Sequence, residues 1–158
     1  MRRFAAALVA AAILFPGAPA SATEPYRLAP FKDELFAYPK ILDEAYGGDY
    51  LEVEYSRPRD LYARDVKRGI EVDPKYVDLA TGAVQQDLAV PAGGRTVRTY
   101  AVGRTEGAKA IVVFLHGSKA GRATGVDDWI HGGNFNRIKN LMMRNDGLYL
   151  SPSFSDFG

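Results

Sequence analysis

Apolar and polar positions along the chain change their spacing several times, and each change predicts an element. Leu51, Val53 and Tyr55 alternate with Tyr50, Glu52 and Glu54 across 49–55, the period of a half-buried strand. Lys32 to Tyr38, bracketed by Pro30 and Pro39, and Ile41 to Tyr46, stopped by Gly47-Gly48, predict two short helices. Leu61, Tyr62 and Val66 fall at helical spacing and predict a third over 59–67, ended by Gly69. Val84 to Val90 and Arg95 to Val102 read as two strands around a Pro91-Ala92-Gly93-Gly94 loop, a hairpin composition.

Ala110 to Leu115 is apolar without alternation, as expected of a parallel strand covered on both faces, and it closes on His116-Gly117. After a long loop, Asn134 predicts a helix cap. Phe135, Ile138, Leu141 and Met142 form one stripe, Arg144 lies in the last turn, and Asn145-Asp146-Gly147 is the stop. Leu148-Tyr149-Leu150 predicts a further short strand. The order hairpin, strand, helix, strand is a β-hairpin feeding a βαβ unit, so the predicted fold class is α/β.

Composition adds compartment and excludes chemistries. Arg2-Arg3, the apolar core Phe4 to Phe15 and Ala20-Ser21-Ala22 have the layout of a secretory signal peptide over 1–22, cleaved before Thr23. The core is well short of the ~20 apolar residues that span a bilayer, and Pro16-Gly17 ends it. The expected protein is therefore exported, periplasmic or secreted, with no integral membrane span once the signal is removed. Its loss takes Lys and Arg from 20 to 18 against 19 acids, turning the formal charge from +1 to −1. A near-neutral chain offers no electrostatic case for nucleic acid as a partner. No cysteine is present, which excludes disulfides, thiolate zinc sites and thiol catalysis. The expected division is signal 1–22, a lead-in of mixed structure 23–73, and an α/β domain from residue 74 to 158.

Phe114-Leu115-His116-Gly117 at a strand end, the hairpin before it, and the loop, helix and strand ending in Ser151-Pro152 after it resemble the opening of the α/β-hydrolase fold, over roughly residues 84–158. The resemblance implies the N-terminal part of a hydrolase sheet, an incomplete one, in which the Ile111 to Leu115 strand pairs parallel with Leu148 to Leu150. It also implies an oxyanion-hole donor at the turn: Gly117 allows close approach, and the backbone of Ser118 or Lys119 donates the N–H. The family carries its serine on an elbow after a later strand, followed by an acid and a histidine. No such positions occur here, so the expected catalytic set in this chain is empty. The implied protein is the N-terminal fragment of an exported serine hydrolase acting on small-molecule carboxylic esters, without cofactor, the fragment alone being inactive. The alternatives are a non-enzymatic secreted or periplasmic binding module, or the inactive product of a truncated reading frame.

Other residues carry competing readings. Ser118 beside His116 could form a local dyad, but no third group orients the imidazole, and a histidine that ties the loop together is the stronger expectation. His131-Gly132-Gly133 resembles the His-Gly-Gly oxyanion motif of some esterases, against a role in the loop or at the helix start. Lys119 and Arg122, in a stretch between Gly117 and Gly125 that lacks the Gly-Lys-Ser/Thr of a phosphate loop, could meet an acidic substrate group or simply be solvated. Arg122, Trp129 and His131 are thus the substrate-loop candidates, in a connection long enough to be substrate-facing or mobile. Glu52 and Glu54 share a strand face, but two carboxylates are too few for a hard cation, so no metal site is expected.

Overall fold

The structure is a computed structural model and describes residues 26–29 and 32–154; the predicted signal peptide lies outside them. The chain mixes helices and strands as an α/β protein, built on one four-stranded sheet and two small hairpins.

The sheet begins with the hairpin of β5 (Gln86–Ala92) and β6 (Arg95–Gly103), paired from Gln86 with Ala101 to Ala92 with Arg95. Gly93 and Gly94 both have positive φ, the conformation that a two-residue hairpin turn requires and that glycine adopts without a Cβ clash. β7 (Ile111–Val113) then leads through a long loop to α2 (Asn134–Arg144) and β8 (Leu148–Pro152). β8 enters between the earlier strands, antiparallel to β6 and parallel to β7, giving the order β5-β6-β8-β7. Val112 and Phe114 pack with Val102 and Tyr149 against Met142, Ile138 and Leu141 of α2, which is the core. The helix stops where expected: Asn145 caps it, and the Gly147 N–H returns to the Met142 carbonyl at 2.8 Å.

Four sequence expectations are corrected. Ile41 to Tyr46 is no helix: Ile41–Ala45 is β1, paired antiparallel with β2 (Tyr50–Val53), and Gly47-Gly48 is the hairpin turn rather than a helix stop. The helix over 59–67 is reduced to one turn, α1 (Arg57–Asp60), because Asp65–Lys67 becomes β3 and pairs with β4 (Glu71–Val72). Lys32 to Tyr38 holds only a 3-10 turn at Glu34–Phe36, capped by the Asp33 carboxylate. The cap of α2 is Gly133, in a left-handed conformation; Asn134 is the first helical residue and accepts instead from the Arg64 guanidinium at 3.0 Å.

A further difference concerns the cover of β7. Its sequence does not alternate, yet its exposure does: Val112 and Phe114 face α2, whereas Ile111, Val113 and Leu115 are 60, 50 and 67% exposed. β7 is also an edge strand, so this apolar row lies beside unpaired backbone groups. The lead-in is strapped along α2. The Tyr26 hydroxyl donates to the Asn145 carbonyl at 2.7 Å, and Arg137 pairs with Asp33 while stacking on Phe36.

Candidate functional site

The carboxyl ends of β7 and β8 are tied together by one histidine. His116 is buried, its ring packs on Phe154, and Nε2 accepts the Phe154 N–H at 3.3 Å. A nitrogen that accepts cannot carry the proton, so the hydrogen is on Nδ1, which donates to the Gly117 carbonyl at 3.0 Å. Both ring nitrogens are thereby committed to backbone, and neither is left to serve as base for Ser118. The imidazole is a clasp that fixes the direction in which the chain leaves β7.

The turn that follows has the opposite character. Gly117, Ser118, Lys119 and Ala120 are exposed, and the Ala120 N–H closes the turn on the Gly117 carbonyl at 3.1 Å. The N–H groups of Gly117, Ser118 and Lys119 meet no acceptor among the described residues. Open space surrounds the place where a Gly117 Cβ would stand. Consecutive free donors on an exposed turn, braced from behind by a buried ring, suit an acceptor oxygen that arrives with a ligand.

Beyond Ala120 the long connection is pinned rather than mobile. The Ser151 hydroxyl donates to the Arg122 carbonyl at 2.7 Å, and the Tyr149 hydroxyl to the Gly125 carbonyl at 2.6 Å. Burial raises the Tyr149 phenol above its ordinary pKa, so it stays a donor. Gly125 has no room for a side chain: a Cβ there would run into the Phe114 ring and the Ser151 hydroxyl. Lys139 of α2, fully buried, donates to the Val126 carbonyl and pairs with Asp128, both at 2.7 Å. Asn136 bonds Asp128 from the same face and matches the Asp78 N–H and carbonyl with its own amide. The apolar stripe gave no hint of this polar face. Its only sequence signal is the spacing of Asn136, Lys139 and Asn140, which puts all three on one side of the helix.

The three substrate-loop candidates are spread over different tasks. Arg122 grips Asp87 of β5 through both guanidinium nitrogens and stacks on Tyr100 at 4.1 Å, so its charge holds the loop to the sheet instead of facing a ligand. Trp129 accepts the Val72 N–H on its carbonyl at 2.9 Å and joins the loop to β4. His131 is exposed, has positive φ, and stands edge-on to Phe135 beside a cleft of about 400 Å³ that Arg64 and Asp65 also line. Of the predicted residues, only Gly117, Ser118 and Lys119 form a common unit. Glu54 pairs with Arg59, and among the described residues no group of three or more histidine and carboxylate side chains is placed to hold a metal.

Comparison with protein-family models, with curated proteins and with solved structures returned no match to this chain. The site therefore stands on its own geometry. Among the described residues no helix is long and apolar enough to cross a membrane.

The Arg122 clamp makes a pH prediction. Hydrogen bonds from Arg122, then from Arg98, hold the Asp87 carboxyl down to about 2 against an opposing contribution from desolvation, compared with an ordinary 3.8. A depressed folded-state pKa stabilises the fold above the ordinary value, and that stabilisation is lost as pH falls through the folded value. Asp87→Asn is expected to lower the melting temperature at neutral pH, with the difference from the unaltered protein closing between about pH 4 and about pH 2. Melts of both proteins across that range check it; a gap that persists at the acid end contradicts the clamp.

Proposed function

We propose that this chain is the opening portion of an exported α/β-hydrolase-like serine hydrolase acting on carboxylic esters. The turn after β7 supplies a backbone donor of the oxyanion hole, while nucleophile, acid and catalytic histidine come from sequence outside these 158 residues. The observation that carries this reading is the free N–H run at Gly117 to Lys119, standing at the carboxyl end of β7 in a sheet ordered β5-β6-β8-β7. Ligand sites of open α/β sheets lie outside the carboxyl ends of the strands. The exposed apolar row of β7 supports it as well, since the strands of a parallel sheet are covered on both faces and a later helix would bury the face opposite α2.

In this mechanism a serine oxygen, its proton taken by the catalytic histidine outside these residues, adds to the ester carbonyl carbon, and the carbonyl π pair moves onto oxygen. The oxygen becomes a full acceptor only as the tetrahedral species forms, so the N–H of Ser118 or Lys119 bonds the transition state more strongly than the ester. Collapse restores the carbonyl, breaks the ester C–O bond and expels the alcohol, which takes the proton from that histidine. Water then adds to the acyl-serine in the same way and releases the acid and the free serine. Gly117 keeps the approach clear, and His116 holds the turn still so that no reorganisation is needed when charge develops. No residue of this chain takes the role of nucleophile.

Hydrolysis of p-nitrophenyl esters tests the reading. The 158-residue chain is expected to show no turnover above buffer, and the chain extended by the sequence that follows it in its source is expected to turn over. Turnover by the shorter chain that Ser118→Ala abolishes, or an inactive extended protein, overturns it.

A further inference from the structure

The hairpin β1–β2 is an arm. None of its residues is buried, and Ile41–Val53 makes no hydrogen bond to any residue outside itself among the described residues. Only Ala45, Leu51 and Val53 are even half-buried, and a two-stranded hairpin with so little packing is marginally stable in water. Its composition is one-sided: residues 41–54 contain Asp43, Glu44, Asp49, Glu52 and Glu54 and no lysine or arginine. Only Glu54 is in an ion pair; the other four carboxylates meet no cation among the described residues. Between them Leu42, Tyr46 and Tyr50 are exposed.

The complementary surface lies on the same chain. Residues 57–68 carry Arg57, Arg59, Arg64, Lys67 and Arg68 against two aspartates. Arg59 and Arg64 are engaged, the first with Glu54 and Asp60, the second with Asn134 and the rings of Phe36 and Tyr76. Arg57, Lys67 and Arg68 are exposed and meet no carboxylate, and Arg68 lies over the Tyr62 ring at 4.6 Å. Leu61, Val66 and Ile70 are exposed beside them. An acidic arm with apolar and aromatic residues and a basic patch with apolar and aromatic residues thus stand on one molecule, joined within it by Glu54 with Arg59 and otherwise unpaired across the two surfaces among the described residues.

We infer that the chain forms a two-fold dimer in which the β1–β2 arm of each protomer lies on the α1–β3–β4 patch of the other. Two-fold symmetry lets both copies satisfy both surfaces at once and closes the assembly at two. Opposite charge sets the pairing and register, while the exposed leucines and tyrosines supply apolar area. The inference does not rest on the hydrolase reading.

Sedimentation equilibrium of the full chain tests it, with Val113→Lys carried in every variant so that pairing through the β7 edge does not contribute. The chain is expected to dimerise, and the dimer to weaken as ionic strength rises, because the pairs are exposed and screened. Glu44→Lys with Glu52→Lys on the arm, or Arg57→Glu with Arg68→Glu on the patch, is expected to weaken it about tenfold or more, a loss of at least ~1.4 kcal/mol. Mixing the two variants is expected to restore dimers, since each remaining arm then meets a patch of opposite charge. Circular dichroism confirms that each variant is folded. A monomer at every concentration, a dimer indifferent to both reversals, or a mixture that stays monomeric overturns the proposal.

Discussion

Replacing Lys139 with alanine is expected to destabilise the fold by about 3 kcal/mol, the low end of the loss seen when one partner of a buried ion pair is removed. The ammonium group is fully out of water and bonds the Val126 carbonyl and the Asp128 carboxylate. Without it Asp128 keeps only the Asn136 amide, and the Val126 carbonyl loses its donor. Asp128 retains 17% exposure, so water reaches the orphaned carboxylate and the larger losses of fully sealed pairs are not expected. A domain of this size holds roughly 5–15 kcal/mol in total, so the change is a large share of it. Urea denaturation reads the shift. Lys139→Met combined with Asp128→Asn is expected to recover part of the loss, because it removes both charges and keeps much of the stem's volume. A single substitution that leaves the midpoint in place would contradict a pinned loop.

Gly117→Val in the complete enzyme is expected to lower kcat by about 10²–10³, the effect of removing one oxyanion donor, while leaving the fold intact. The two halves of that expectation have separate causes. Open space around Gly117 means that a side chain meets nothing in the fold. A β-branched side chain on that turn instead stands where the ester must approach the free N–H groups, and it re-aims them. Steady-state kinetics alongside a thermal melt separates the two. Near-full kcat with an unchanged melt would remove this turn from the active site.

The parts of the fold legible in the sequence were those specified locally. Phe135, Ile138, Leu141 and Met142 share a helix stripe whatever surrounds them, and Asn145-Asp146-Gly147 ends that helix by its own backbone preferences. Gly93-Gly94 sets a hairpin turn in the same way. Ile41 to Tyr46 failed because its apolar positions at 41, 42, 45 and 46 have a helical spacing that six residues are too short to enforce; pairing with Tyr50–Val53 draws it instead into a strand with a register shift between Ile41 and Asp43. Arg59 to Lys67 failed similarly, its second half drawn into a strand by Glu71–Val72.

For the site, the donor turn was legible because strand end, histidine and glycine are contiguous. The fate of Arg122 was not, since Asp87 lies 35 positions away on another strand. Lys139 was hidden for the same reason: a lysine reads as solvated until Asp128 and the Val126 carbonyl are brought to it. The even apolar run at Ile111 to Leu115 predicted cover on two faces, and α2 covers only one.

The central claim, that the turn after β7 receives an oxyanion, is tested most directly by a crystal structure of the complete enzyme after reaction with a p-nitrophenyl alkylphosphonate. Such a reagent leaves a tetrahedral adduct on the nucleophilic serine. The predicted result is an adduct on a serine outside this chain's residues, with its phosphoryl oxygen about 2.7–3.1 Å from the backbone N–H of Ser118 or Lys119. An adduct on Ser118 itself, an oxygen held entirely by other donors, or a protein that forms no adduct would contradict it.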